Sequence, residues 1–281
     1  MPHHSPIRLI ALDLDGTALS PEGTITPFTH KVIHRALEQG IQVVICTGRN
    51  LPELQPIYDV LPEVRYYAGA NGGILWDRWA AGFLYENPLS FAFQQDILHR
   101  TQGIDSMLEL FTKEHIYCSL DSLQHLSRYV QPFLFPVVRR TRTPVEDIRA
   151  FILKRGKSAL KINQFFPSEQ ERQKAVASLA GLKLDCTSSI GCNLECNTLR
   201  ANKGDALEHL AQHLDIPRQQ VMAIGDGNND LSMLRFAGLS VAMGNGLEEV
   251  KKEACAITCS NREDGAAQAI VRYALGEGPK N

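Results

Sequence analysis

Two aspartates stand where an apolar run gives way to a turn: Ile7-Arg8-Leu9-Ile10-Ala11-Leu12 is followed by Asp13-Leu14-Asp15-Gly16-Thr17. A carboxylate beside a buried strand is costly unless it is paired, hydrogen-bonded or bound to a metal. In open α/β sheets, ligands gather at the carboxyl ends of the strands. Alternation along an extended chain would turn Asp13 and Asp15 to the same side, while Gly16 permits a turn and Thr17 adds a hydroxyl. Asp-Gly is also an ordinary turn dipeptide, so the reading depends on what else the chain supplies.

Three further segments supply it. Val221-Met222-Ala223-Ile224 runs into Gly225-Asp226-Gly227-Asn228-Asn229-Asp230. The third glycine of a dinucleotide fingerprint is missing there, and the acids would repel a pyrophosphate. They are instead hard oxygen donors of the kind Mg²⁺ prefers. The same residues fit a helix start, with Asp230 leading into Leu231, Leu234 and Ala237 and Gly238 ending the run. The strand-like Ile41-Gln42-Val43-Val44-Ile45-Cys46 leads to Thr47-Gly48-Arg49, and Asn202-Lys203-Gly204 opens a helix with Ala206, Leu207, Leu210, Ala211 and Leu214 on one face. Taken singly, Thr47 is a turn residue and Lys203 a solvated charge. Together the segments offer a carboxylate nucleophile, metal ligands, and a hydroxyl and an ammonium for phosphate oxygens, which is the equipment of phosphoryl transfer.

In this order, the segments resemble the four motifs of the haloacid dehalogenase superfamily of phosphatases, and the Cof-type subfamily most closely. Asn71-Gly72, Ala242-Met243-Gly244-Asn245-Gly246, Glu248-Glu249-Val250-Lys251 and Glu263-Asp264-Gly265 extend the resemblance over both ends of the chain. The middle third carries no diagnostic residue. In Leu194-Glu195-Cys196-Asn197, Cys196 stands where the family more often has an aliphatic residue. The resemblance implies that Asp13 attacks phosphorus to form an aspartyl phosphate. Asp15 would protonate the leaving oxygen and then take a proton from water, so it must hold a proton near neutral pH, as apolar surroundings or a neighbouring carboxylate promote. Mg²⁺ would be held by Asp13, Asp226 and the backbone carbonyl of Asp15. Thr47, Gly48, Lys203 and Asn229 would bind phosphate, with Asn229 and Asp230 supporting the metal shell or the lysine.

The expected activity is therefore Mg²⁺-dependent hydrolysis of small phosphate monoesters, of the sugar-phosphate or cofactor-phosphate type. The same residues would serve a phosphotransferase similar to phosphomannomutase, told apart by whether phosphate is released without a bisphosphate activator. A non-catalytic regulatory protein that binds phosphometabolites is the third class; loss of Asp13 or Asp15 would have favoured it. Arg139, Arg140 and Arg142 are candidates for an anionic group of the substrate, but a run of arginines reads first as a solvated face.

Composition is compatible with such an enzyme. At 281 residues and 44% apolar content, the chain is long enough for one large or two modest domains, and no apolar run is long enough to span a bilayer. A net charge of −2 gives no footprint for nucleic acid. Residues 1–6 lack the basic and apolar parts of a signal peptide. The expectation is a cytoplasmic monomer or small homo-oligomer whose partner is a small-molecule phosphate ester, with no nucleic acid and no membrane. Seven cysteines without a Cys-x-x-Cys pair read as reduced thiols rather than a zinc site.

Positioning these residues calls for strands alternating with helices, which both ends of the chain show. Thr26-Pro27 opens a helix with Val32, Ile33, Ala36 and Leu37 as its stripe and Gly40 at its end. The fold class expected is α/β, a Rossmann-like parallel sheet core with helices on both faces. Between about 85 and 192 the rhythm changes, with strands near 106–111, 115–118, 159–165, 182–186 and 193–196, helices near 145–155 and 168–180, and a loop over 131–143. This reads as an inserted α+β cap over 85–192, the core being 1–84 plus 193–281, with hinges near 85–88 and 191–195. In the resembled family such a cap selects the substrate.

Overall fold

The computed structural model describes residues 6–188 and 191–276; the reading of the amino terminus falls partly on residues 1–5, outside them. Strand β1 (Leu9–Leu12) is buried at every position, as a parallel strand between two layers must be. It pairs in parallel with β2 (Gln42–Cys46) on one side and β12 (Val221–Gly225) on the other. β3 (Tyr66–Gly69) extends the parallel run past β2, while β13 (Leu239–Ala242) and β14 (Ala256–Ile257) extend it past β12. β4 (Ile74–Asp77) and β5 (Gly82–Glu86) add an antiparallel edge, giving the order β14-β13-β12-β1-β2-β3-β4-β5.

Alternate strand residues serve different layers. Leu9, Ala11, Val44, Val221 and Ala223 pack with Ala206, Leu207, Leu210, Met233 and Leu234, from the helices Lys203–His213 and Leu231–Phe236. The helix Pro27–Glu38 packs against β2 with Val32, Ile33 and Ala36 buried. Its start is as the sequence indicates: Thr26 accepts the Thr29 N–H, and Pro27, which has no N–H to satisfy, takes the first turn. The α/β class with helices on both faces stands. No described helix is long and apolar enough to cross a membrane.

The chain forms two compact units, one of residues 1–48, 55–86 and 202–281, the other of residues 49–54 and 87–201. The second holds a six-stranded sheet of β6 (Met107–Phe111), β7 (Ile116–Ser119), β8 (Arg142–Val145), β9 (Lys161–Phe165), β10 (Leu184–Thr187) and β11 (Asn193–Thr198), in the order β10-β11-β9-β6-β7-β8. On one face, Leu108, Leu110, Ile162, Leu194 and Cys196 pack against residues of the helices Phe91–Arg100, Ile148–Arg155 and Glu169–Leu179. Cys196 acts there as a small apolar side chain, and the cysteines are free thiols.

Three expectations are corrected. Residues 193–201 belong with the second unit, because β11 pairs with both β9 and β10; residues 191–195 are therefore not a connection, and the chain passes between units after residues 48, 54, 86 and 201. The loop over 131–143 contains a short helix, Phe135–Thr141, in which Pro136 occupies the first turn and so starts the helix rather than breaking it. Arg139 and Arg140 are exposed as a solvated face requires, but Arg142 is 9% exposed, because as the first residue of β8 it turns to carboxylates inside its own unit.

Candidate active site

The neighbouring parallel strands β12, β1, β2 and β3 open on one edge, and the chain order changes direction between β1 and β12, which is where such sheets hold ligands. Asp13 follows β1, Thr47 follows β2, Asn71 lies just past β3, and Asp226 follows β12. Because β1 stops at Leu12, the backbone then closes a wide turn, with the Ala18 N–H donating to the Asp13 carbonyl (3.2 Å) and Leu19 N–H to the Leu14 carbonyl (2.9 Å). Gly16 has φ +84°, and a Cβ there would lie 2.3 Å from Asp226 Oδ2, so a side chain is excluded. Thr17 Oγ1 donates to Asp226 Oδ1 at 2.9 Å, and Asn245 Nδ2 donates to the Gly16 carbonyl at 2.8 Å.

Lys203, the first residue of its helix, is fully buried, and its Nζ donates to Asp13 Oδ1 and Asp230 Oδ1 at 2.6 Å each. Asp230 Oδ2 accepts the backbone N–H of Asp226 and of Gly227, both at 2.9 Å. Asn202 caps the lysine's helix by accepting the Asp205 N–H at 2.9 Å. Thr47 is buried; its N–H donates to the Ala68 carbonyl (2.8 Å) and its own carbonyl accepts the Asn71 N–H (3.0 Å). Asn71 has φ +57° and accepts at Oδ1 from Asn229 Nδ2 at 3.3 Å. A Cβ on Gly48 would stand 2.9 Å from that same Oδ1.

Oxygens of Asp13, Asp226 and Asp230 lie within 4.8 Å of one another. Burial pushes Asp13 well above the ordinary carboxylate value, with the charges of Asp230 and Asp226 acting the same way and Lys203 acting against them. Burial, then Asp230, pushes Asp226 up to about 6, against the Thr17 hydrogen bond and Lys203. Burial alone would lower Lys203, but Asp13 and Asp230 hold it above its ordinary value, so it stays charged. Three carboxylates against this ammonium leave two negative charges uncompensated when all are ionised, the charge a divalent cation neutralises. The donors are all oxygen, which fits a hard cation.

Of the residues indicated by sequence, Asp13, Lys203, Asp226 and Asp230 meet directly, and Thr47 and Asn229 share the Asn71 loop. Asp15 is different. It is expected to face the same way as Asp13 and to be kept protonated by apolar surroundings or a neighbouring carboxylate; it lies in the turn after β1 and is exposed while Asp13 is buried. Its carboxylate is not among those that cluster. Sequence reasoning gave no specific task to Thr17 or Asn71, although both lie in quoted motifs, and nothing local marks Asn245 as a brace for Gly16.

The model of the haloacid dehalogenase-like hydrolase family matches residues 10–270. The Bacillus subtilis (strain 168) protein named 5-amino-6-(5-phospho-D-ribitylamino)uracil phosphatase YcsE is 32% identical over 270 residues, covering 96% of each chain. The Escherichia coli (strain K12) protein named pyridoxal phosphate phosphatase YbhA is 29% identical over 277 residues, 95% of this chain and 99% of its own. A crystal structure of a haloacid dehalogenase-like hydrolase from Bacteroides thetaiotaomicron superposes with a TM-score of 0.81 at 29% identity, covering 95% of this chain and 99% of that one.

Proposed function

The chain belongs to the haloacid dehalogenase-like hydrolases, and from that premise we propose that it is a Mg²⁺-dependent phosphatase of small phosphate monoesters that works through an aspartyl phosphate. The observation that carries this reading is the meeting of Asp13, Lys203, Asp226 and Asp230, drawn from three distant segments, at the carboxyl edge of the sheet. The relatives named above are phosphatases of a phosphoribityl compound and of pyridoxal phosphate, both small monoesters, which supports that substrate class.

Asp13 is the nucleophile: a carboxylate oxygen bonds to phosphorus as the ester oxygen departs. Asp15, exposed and so within reach of solvent and substrate, gives the departing oxygen its proton. It then takes a proton from the water that attacks phosphorus, releasing phosphate and restoring Asp13. Lys203 uses two of its three N–H groups on Asp13 and Asp230, fixing the nucleophile and leaving one for a phosphoryl oxygen. Thr47 and Gly48 complete the phosphate loop, and Asn229 braces it through Asn71. Asp13, Asp226 and the Asp15 carbonyl would hold Mg²⁺, with Asp230 in support; when bound it supplies the positive charge that lets a phosphate dianion approach these acids. The second unit is the substrate-selecting cap.

The test is phosphate release from a panel of sugar and cofactor monoesters, with Mg²⁺ and with excess chelator. Asp13→Asn should lower release by orders of magnitude while the circular dichroism spectrum is kept. Full activity in chelator or in that variant would overturn the mechanism. Release that requires a bisphosphate activator would point to phosphotransfer instead.

A further inference from the structure

We propose that Glu53, acting through Asn50 and backed by Arg142, is a positioning residue for the phosphate loop Thr47-Gly48; the inference rests on the phosphatase reading above. Residues 49–54 follow that loop directly, yet they group with residues 87–201 and not with the sheet they have just left. Glu53 ends the short helical turn Leu51–Glu53, and its Oε2 accepts the Asn50 N–H at 2.9 Å. Its Oε1 accepts from Arg142 Nη1 at 2.5 Å. Arg142 also grips Glu109 with both Nε (2.7 Å) and Nη2 (3.1 Å), and Asn50 Nδ2 donates to the Thr112 carbonyl at 2.5 Å.

The side chains of Arg142, Glu53 and Glu109 are only 4%, 9% and 0% exposed. Ion pairs that deep gain little net stability over apolar packing, because desolvation offsets the attraction. What a guanidinium fork does give is a fixed geometry, since its planar donors meet carboxylates in set directions. That geometry is applied to Asn50. On the other side, Thr47 is fixed by the Ala68 and Asn71 hydrogen bonds. Only Gly48 and Arg49 separate Thr47 from Asn50 along the chain, so a shift of Asn50 is passed through the backbone to the loop. Burial pushes Glu53 up, but Arg142 outweighs it and holds the carboxyl below its ordinary value, so the tie stays ionised at neutral pH.

Glu53→Gln is the test, since it weakens the tie while leaving both Arg142–Glu109 contacts in place. The readouts are the inhibition constant of inorganic phosphate with Mg²⁺ present, kcat and KM for one small and one large ester, and the thermal midpoint. Loss of one charge-assisted hydrogen bond should raise the phosphate inhibition constant and both KM values by about tenfold, with a smaller change in kcat. Arg142→Lys, which keeps the charge without the fork, should fall between Glu53→Gln and the unaltered protein. A lowered midpoint with unchanged inhibition constant and KM would make the contact a structural fastener only and overturn the proposal. If the unaltered protein releases phosphate from no ester, the phosphatase reading falls and this inference with it; release with unchanged phosphate affinity in the variant overturns this inference alone.

Discussion

Each unit buries two acids against one base. In the first, Lys203 lies between Asp13 and Asp230; in the second, Arg142 lies between Glu53 and Glu109. The arrangements look alike in composition and differ in what is left over. Arg142 spends its fork on both carboxylates, and the chain of contacts continues from Glu109 through Asn163 (2.9 Å) and Asn193 (3.1 Å) to Glu195, which Lys161 meets at 2.6 Å. Lys203 has to serve a third acid nearby, Asp226, and brings no more charge for it. The carboxyls respond in opposite directions: Glu53 is held below its ordinary value, whereas Asp13 and Asp226 are pushed above theirs. With every group ionised, Arg142 leaves one negative charge over from Glu53 and Glu109, whereas Lys203 leaves two over from Asp13, Asp226 and Asp230, and the larger surplus is the one that suits a divalent cation.

The strongest way to break this contrast is to remove each base in turn. Lys203→Met should lower turnover by about 10²–10³-fold, since it deletes a preorganised donor to the phosphoryl group. Millimolar Mg²⁺ should still raise that variant's thermal midpoint, because the cation replaces the lost charge among the acids. Arg142→Met should cost about 3–5 kcal/mol in urea unfolding, because it strands two buried carboxylates, and Mg²⁺ should not recover it. Equal rescue of both variants by Mg²⁺ would erase the distinction.

A smaller effect sharpens it. Glu53 has a folded value below its unfolded one, so its contribution is present above the ordinary value of 4.5 and is lost as pH falls through the folded value. Asp226 has a folded value raised to about 6, so its contribution is present below the ordinary 3.8 and is lost as pH rises through about 6. In metal-free protein, Glu53→Gln should therefore flatten the decline in stability on the acid side, below 4.5. Asp226→Asn should flatten the decline between 3.8 and about 6. Denaturant midpoints measured across pH 2 to 8 check both, and slopes of the same sign would contradict the assignment.

Much of this was legible before any coordinates. The motif residues Asp13, Thr47, Lys203 and Asp226 each follow a strand or open a helix that periodicity identifies, and the elements expected between 106 and 196 have counterparts within a few residues, whereas the helices Phe91–Arg100 and Phe135–Thr141 and strand β8 were not anticipated. Asp15 is exposed where Asp13 is buried, because the chain leaves β1 at Leu12 and enters a turn. Arg142 was misread because a charge run looks the same on paper whether its members face water or a carboxylate.

The amino-acid sequence by itself determined which side chains are candidates for the chemistry and in what order of elements they arrive, because turn residues and apolar spacing act over a few positions. The tertiary structure alone decided the partners. Lys203 reaches Asp13 across 190 positions, and Arg142 reaches Glu53 across 89. Residues 49–54 group with 87–201, and Asp226 is left with charge to spare, for the same reason. Charge pairing in a buried site depends on distance in space and on the water excluded there, and neither is written in local spacing.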